Sequence, residues 1–378
     1  MVTDPVALRS LRPEWEWLHL RSTEGRFSQS FVWCWTSWET VEQPRGRRLI
    51  CLVGRHEGRV MLIWPFVSHR ELWWSIASPL GGAYGEYTHP LVEENSLKDR
   101  RIAAAVQALR NGSGCDIIAL PFVRAGSVLD RMMSDEKKAK IIETIPTLSV
   151  EWDGYQDWLS FYRSLKGDHR RKLKSARRNF ELVGKLIFEA SEDSAQCVAV
   201  IDWILRHKVE QLARTGRRGP WLETEAYRNL LSVAAAEPGT EGRVMTFVLK
   251  LDDRIVAAQM SRVDARRIEM MNTVFDSAFA KYGPGHILIE GCLKWACERK
   301  VDFDMRIGDF PYKRLWANRE CDAITYHLVN AGWGRMYVVC YDVRRRLRQT
   351  KMLLPASWRR FIKATLGRMR ICARRCRI

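Results

Sequence analysis

The sequence predicts an α/β protein of two units, each a mixed, mostly antiparallel sheet flanked by helices. Three observations predict it. Between residues 243 and 275 three runs rich in β-branched and aromatic residues, RVMTFVLK, IVAAQMSRV and RIEMMNTVF, are separated by the turn signals Asp252-Asp253 and Asp264-Ala265, the pattern of a strand meander. A Gly-Pro-Gly turn then opens an apolar-periodic helix to about residue 299, and a further strand-like run, VDFDMRI, follows over 301–307. Finally, a chain of 378 residues is long for one core, and its first part repeats the theme of helices, meander and crossover helix.

Taken in order, apolar periodicity and alternation place helices over 13–20 and 33–41, then strands over 49–53 and 60–67. A short strand over 72–76, a helix over 97–109, a strand over 116–120 and a helix over 128–138 follow. Residues 140–143 read as the start of a polar connection and 147–152 as the opening of the second unit. Helices over 155–165, 168–183, 194–213 and 225–235 precede the meander, a strand over 324–329 follows it, and two basic helices run to the end. This gives units over 1–146 and 147–321, with 322–335 returning to complete the first, and a basic helical tail over 336–378.

The net charge is +18, and residues 344–378 supply thirteen Lys or Arg without one acidic residue. Most of the basic character therefore sits in the tail, where Leu347, Leu354, Trp358 and Phe361 intersperse the charges. That composition suits an anionic membrane surface, or a solvated terminal extension, better than nucleic acid, for which no motif appears elsewhere. No run reaches the length of a membrane span, and the first twenty residues, with Asp4, Glu14 and Glu16, do not read as a secretory signal. Ten cysteines without a repeating framework fit a reduced cytoplasmic interior, and no spacing suggests a metal site.

Three segments carry candidate chemistry. Gly283 and Gly285 allow close backbone approach and Pro284 pre-sets the turn, so the N–H groups of Gly285, His286 and Ile287 can face an anion at the helix start, next to Tyr282. The basic run 169–178, with Leu173 as its one large apolar residue, offers Arg170 and Arg171 to an anionic substrate. The Gly-rich loop 79–90 presents Tyr84, Glu86 and Tyr87 for recognition.

In the order Tyr282-Gly-Pro-Gly285, Phe303-Asp304, Gly308-Asp309, Tyr312-Lys313 and Trp316, preceded by His169-Arg-Arg-Lys-Leu173 and, far upstream, Phe27, Gln29 and Trp33, the sequence resembles the GNAT acyltransferase superfamily. More narrowly it resembles the CelD-like branch associated with exopolysaccharide biosynthesis, whose architecture is related to Fem-type aminoacyltransferases. The resemblance implies tandem GNAT-like units, the first degenerate, and transfer of an acyl group from acyl-CoA, such as acetyl-CoA, to an amine or hydroxyl of a small molecule or glycan precursor. It also implies a location in the cytoplasm or at the inner membrane. In that reaction Asp304 or Asp309 would accept the amine proton, Tyr312 would donate to sulfur beside Lys313, and a backbone N–H near Thr273 and Val274 would hold the oxyanion. The alternatives are a Fem-type enzyme drawing on aminoacyl-tRNA and a non-catalytic scaffold for polysaccharide synthesis.

Overall fold

The computed structural model describes residues 1–353 apart from 83–86, 215, 217–218, 238 and 240. Helices α1 (Pro5–Ser10), α2 (Arg12–Arg21) and α3 (Phe31–Ser37) lead into strands β1 (Arg48–His56), β2 (Arg59–Glu71), β3 (Trp74–Pro79) and the short β4 (Leu91–Val92). Then come α4 (Lys98–Gly112), β5 (Ile117–Arg124), α5 (Val128–Asp135) and β6 (Ala139–Val150). The second half runs α6 (Trp158–Ser164), α7 (Gly167–Glu181), β7 (Leu186–Ser191), α8 (Ser194–Arg214), α9 (Glu225–Ala236), β8 (Arg243–Leu251), β9 (Arg254–Val263) and β10 (Arg267–Phe275). It ends with α10 (Pro284–Glu298), β11 (Asp302–Ile307), α11 (Pro311–Arg314), β12 (Arg319–Val329) and α12 (Gly334–Leu353).

Helix starts follow local chemistry. Ser30, Ser127 and Thr224 each accept a backbone N–H at the head of α3, α5 and α9, and Asp157 forms a reciprocal box with Ser160 at α6. Gly283 takes the left-handed conformation (φ 68°) that lets the chain turn into Pro284 at the first position of α10.

All twelve strands form one mixed sheet in the order β1-β2-β3-β5-β12-β6-β11-β10-β9-β8-β7, with β4 beside β2. Among the described residues only β3/β5 and β10/β11 pair in parallel, each across a helix, α4 or α10. The halves therefore repeat one plan: three antiparallel strands, a crossover helix and a parallel strand. They also exchange strands. β12 pairs with β5 of the first half and with β6, while β6 reaches β11 of the second.

The sheet differs from expectation in particulars. Residues 140–143 belong to β6, a twelve-residue strand that also runs through the boundary expected between 146 and 147. Pro146, which cannot donate to a ladder, lies beside the place where the β11 register shifts, so a central strand tolerates it. The predicted strand over 72–76 starts only at Trp74, because Leu72 (φ 57°) and Trp73 make the hairpin turn. The helix predicted to 138 stops at Asp135, and β7, unforeseen, forms the far edge against β8. Of the two tail helices, α12 runs to Leu353 and the rest lies outside the described residues.

The second half's main core joins Phe247, Leu249, Val256, Ile268, Leu288, Leu293 and Phe303 between the sheet and α10. Most of the tryptophans it and the first half contain are packing residues; Trp15, Trp33, Trp64 and Trp316 are fully buried. Gly291 of α10 packs so closely on Phe188 of β7 that a Cβ there would overlap the ring. Gly291→Ala is therefore expected to destabilise the fold by about 1–3 kcal/mol in a urea titration, the usual cost of overpacking.

Candidate active site

β10 and β11 pair only at Arg267–Asp302, Ile268–Phe303 and Glu269–Asp304. Beyond these the ladder ends, and the facing edges of the two strands are unpaired with each other; we refer to this opening as the cleft. At its root lies a buried network of charges. Arg26, from the loop before α3, places Nη1 2.5 Å from Glu269 Oε1 and 2.8 Å from Asp304 Oδ2. Arg262 of β9 holds the other Glu269 oxygen at 2.7 Å. Tyr87 donates its hydroxyl to Asp304 Oδ1 at 3.1 Å, and Arg26 stacks on its ring at 4.2 Å. Arg306, forced into the left-handed region (φ 61°), turns its N–H onto Asp304 Oδ1 at 2.6 Å.

Burial disfavours ionised Glu269, but Arg262 and Arg26 outweigh it and hold the carboxyl well below its ordinary range. The same carboxylates outweigh burial at Arg26, whose pKa rises. Asp304 thus accepts from Arg26, Tyr87 and the Arg306 N–H. A carboxylate so occupied anchors the cleft; it is poorly placed to take a proton from an incoming group. Asp309, the other expected base, is exposed and bonded to Arg314, which keeps it ionised and turned to solvent. Arg314 in turn forks onto Glu320 at 3.0 and 2.9 Å.

Each lip of the cleft carries a lysine. On the β11 side Lys313 of α11 is buried, and its Nζ donates to the carbonyls of Ile307 (2.8 Å) and Arg306 (3.3 Å). Burial pushes its pKa down to about 8 against the pull of Asp304, with Arg306 and Lys208 adding to the depression. On the β10 side Lys208 of α8 donates to the Thr273 carbonyl and to Gln211, each at 3.0 Å, and burial lowers its pKa as well. A neutral Lys313 amine can keep both carbonyl bonds with its two N–H groups and leave its lone pair for the cleft.

The register decides which backbone groups line the opening. The Asp276 N–H donates to Val256 O at 2.9 Å. In an antiparallel ladder this makes Val274 and Asn272 face β9 as well, whereas Thr273 and Phe275 turn their N–H and C=O to the open edge. Of the two expected residues, Thr273 thus turns its N–H to the open edge and Val274 turns its own to β9; the Val274 side chain is buried in the core. Thr273 is steadied by its hydroxyl on Gln259 Oε1, 3.0 Å away.

At the head of α10, Pro284 has no N–H and the His286 N–H turns back onto the Gly283 carbonyl at 3.1 Å. The Ile287 side chain is buried. Of the three N–H groups expected to face an anion, that of His286 is thus turned inward. A Cβ at Gly285 would meet only Phe275, at 3.5 Å. Tyr282 packs on Phe180 with ring centroids 5.0 Å apart, so it serves the wall of α7. His286 and His169 stand edge to face at 5.8 Å, and burial and Lys172 lower the His286 pKa.

Of the other expected residues, Tyr312 is largely covered, and burial raises its pKa to about 12. Arg170 has a buried Nε without a partner among the described residues. Arg171 is exposed and tied to Asp168, away from the cleft. Tyr84 and Glu86 lie outside the described residues. Arg26, Arg262, Glu269 and Lys208 were not expected. A lone acid in an apolar strand, as Glu269 is in RIEMMNTVF, was the available signal; nothing local marks Arg26 or Lys208. Among the described residues no three metal-ligating side chains cluster.

Residues 167–314 match a family model described as an acetyltransferase (GNAT) domain. No curated protein matches the sequence. Among solved structures the chain is similar to FemX, at 11% identity and a TM-score of 0.63, covering 86% of this chain and 98% of that one. It is also similar to the C-terminal domain of a protein assigned as a lysylphosphatidylglycerol synthetase from Agrobacterium fabrum, at 12% identity and a TM-score of 0.51, covering 89% and 96%. A conserved protein of unknown function from Bacteroides thetaiotaomicron shares the fold at 8% identity and a TM-score of 0.52, covering 86% and 99%. By sequence, residues 167–314 thus match a GNAT acetyltransferase domain, and by fold 86% of the chain is similar to FemX.

Proposed function

We propose that the protein transfers an acyl group from acyl-CoA to an amine or hydroxyl acceptor in the cleft where β10 and β11 part. The parting of the two strands directly beyond Glu269 and Asp304 is the observation that carries this reading. Bound there, a thioester supplies an electrophilic carbonyl and a thiolate leaving group. Thr273 offers a fixed backbone N–H on the open edge for the carbonyl oxygen. Lys313, near half-neutral at pH 8, takes the proton released by the attacking amine and can return it to the departing sulfur, whose acidity is similar. Tyr312, raised to about 12, is too weak an acid for that transfer and is better suited to donate a hydrogen bond. No covalent enzyme intermediate is needed.

The narrower reading, a CelD-like enzyme acting on a sugar or other cell-envelope precursor, is supported by the unpartnered Nε of Arg170 on the basic helix α7. A Fem-type donor, aminoacyl-tRNA, is favoured by a different observation. Lys208 occupies the Thr273 carbonyl, an acceptor that an amide-bearing donor arm laid along this edge would use.

Titration calorimetry with acetyl-CoA and with aminoacyl-tRNA, followed by single-turnover transfer, separates the donors. Gly285→Val should leave the melting temperature nearly unchanged, because a Cβ there has ordinary room, yet weaken coenzyme A binding by about tenfold or more by blocking approach to the helix start. Unchanged affinity would remove the helix start from the donor site and favour the tRNA reading.

A further inference from the structure

We propose that the start of α12 and the Leu72–Trp73 turn form an apolar face by which the protein lies on an anionic lipid surface. The inference stands apart from the reading of the cleft. On α12 and just before it, Trp333, Met336, Val339 and Val343 are each at least half exposed. Their spacing of three and four residues puts Met336, Val339 and Val343 on one side of the helix. The opposite side is the one that packs: Tyr337 is buried against Trp74 and His327, with ring centroids 5.5 Å from each.

The turn between β2 and β3 adjoins this helix. Trp74 stacks on Trp333 at 5.9 Å and donates its indole N–H to the Trp333 carbonyl at 3.1 Å. Its neighbour Trp73 is 74% exposed and Leu72 58%. Two tryptophans, a leucine, a methionine and two valines thus lie open on adjoining elements, more than scattered surface hydrophobics explain.

The charges around the face select its occupant. Arg70 and Arg335 are exposed at its rim. The nearby acids are already engaged, Glu71 by the Tyr337 hydroxyl at 3.1 Å, Asp342 by Arg345 at 3.5 Å and Asp116 by the N–H and hydroxyl of Ser75, each at 2.8 Å. From residue 344 onward the sequence carries thirteen cations and no anion. A second copy would bring the same positive charge to the contact. A nucleic acid would use the cations and leave the aliphatic residues in water. An anionic bilayer accepts both, apolar side chains at the acyl boundary and cations at the headgroups.

The test is co-sedimentation of the full chain with phosphatidylcholine vesicles, with and without phosphatidylglycerol, at low and high salt. A Trp73→Ser/Met336→Gln/Val339→Gln variant leaves the charge unaltered and removes only exposed apolar groups. The full chain is expected to bind the phosphatidylglycerol vesicles and keep part of that binding at high salt. The variant should bind about tenfold or more weakly with an unchanged melting temperature; if it fails to fold, Val339→Gln alone is compared. Equal binding of variant and parent would overturn the proposal, since charge alone would then suffice. So would absence of vesicle binding, whether RNA binds instead or a dimer forms that the variant dissolves.

Discussion

Lys313→Met is expected to slow acyl transfer by about 10²–10⁴-fold, the usual loss when a general base is removed, and Lys313→Arg is not expected to restore it. The two nearest partners of the Lys313 amine are main-chain carbonyls, Ile307 O and Arg306 O, and among the described residues no carboxylate is bonded to it to fix its charge. Burial brings its pKa to about 8, so a neutral amine is available near physiological pH. Arginine keeps a positive charge throughout and cannot serve as a base. The rate of the parent should accordingly rise with pH and level off above about 8, while the Met variant shows no such rise.

Stability gives an independent readout of opposite sign. The folded pKa of Lys313 lies below the ordinary 10.5, so the unfolded chain binds the proton more tightly. Folding carries the full cost of this ammonium below about pH 8 and loses that cost as pH rises toward 10.5. Lys313→Met should therefore not lower the melting temperature at pH 7 despite the loss of activity. Full activity in the Arg variant would show that the charge, and not the proton, is what the site needs.

Much of the second half was legible because its signals are local. The three strands β8, β9 and β10 follow from alternation and turn residues, and α10 from the Gly-Pro-Gly start and apolar period. β6 was not legible, since Pro146 and its charged residues argue against a central strand, and only its neighbours β12 and β11 make it one. The site divides in the same way. Lys313 and Tyr87 stood in short motifs; the structure places Lys313 against the Arg306 and Ile307 carbonyls and Tyr87 on Asp304. Choosing Thr273 over Val274 required the β9–β10 register, which alternates the direction of every backbone group. The partners of Asp304, Arg26 and Tyr87, come from more than 200 residues upstream. A pairing over that distance leaves no trace in local sequence.

Arg26→Met is expected to cost about 3–5 kcal/mol of stability, the range for breaking a buried ion pair from one side. One guanidinium nitrogen bridges Glu269 and Asp304, both nearly inaccessible to water. Without it Asp304 keeps the Tyr87 hydroxyl and the Arg306 N–H, and Glu269 keeps Arg262, but each carboxylate loses its shared counter-charge. Because Glu269 titrates well below its ordinary 4.5 in the folded protein, its contribution is present above that pH and lost as the solution is acidified through the folded value. The variant should therefore lose stability most at neutral pH and converge on the parent in acid. Arg314→Met provides the contrast: its partners Asp309 and Glu320 are exposed, solvent screens them, and the unfolding midpoint should barely move. Urea titrations of both variants between neutral and acid pH make the comparison. Equal midpoints for Arg26→Met and the parent at pH 7 would mean that the network is not what ties the loop before α3 to the root of the cleft. A large loss confined to neutral pH would show that the first half of the chain holds β10 and β11 together where they begin to part.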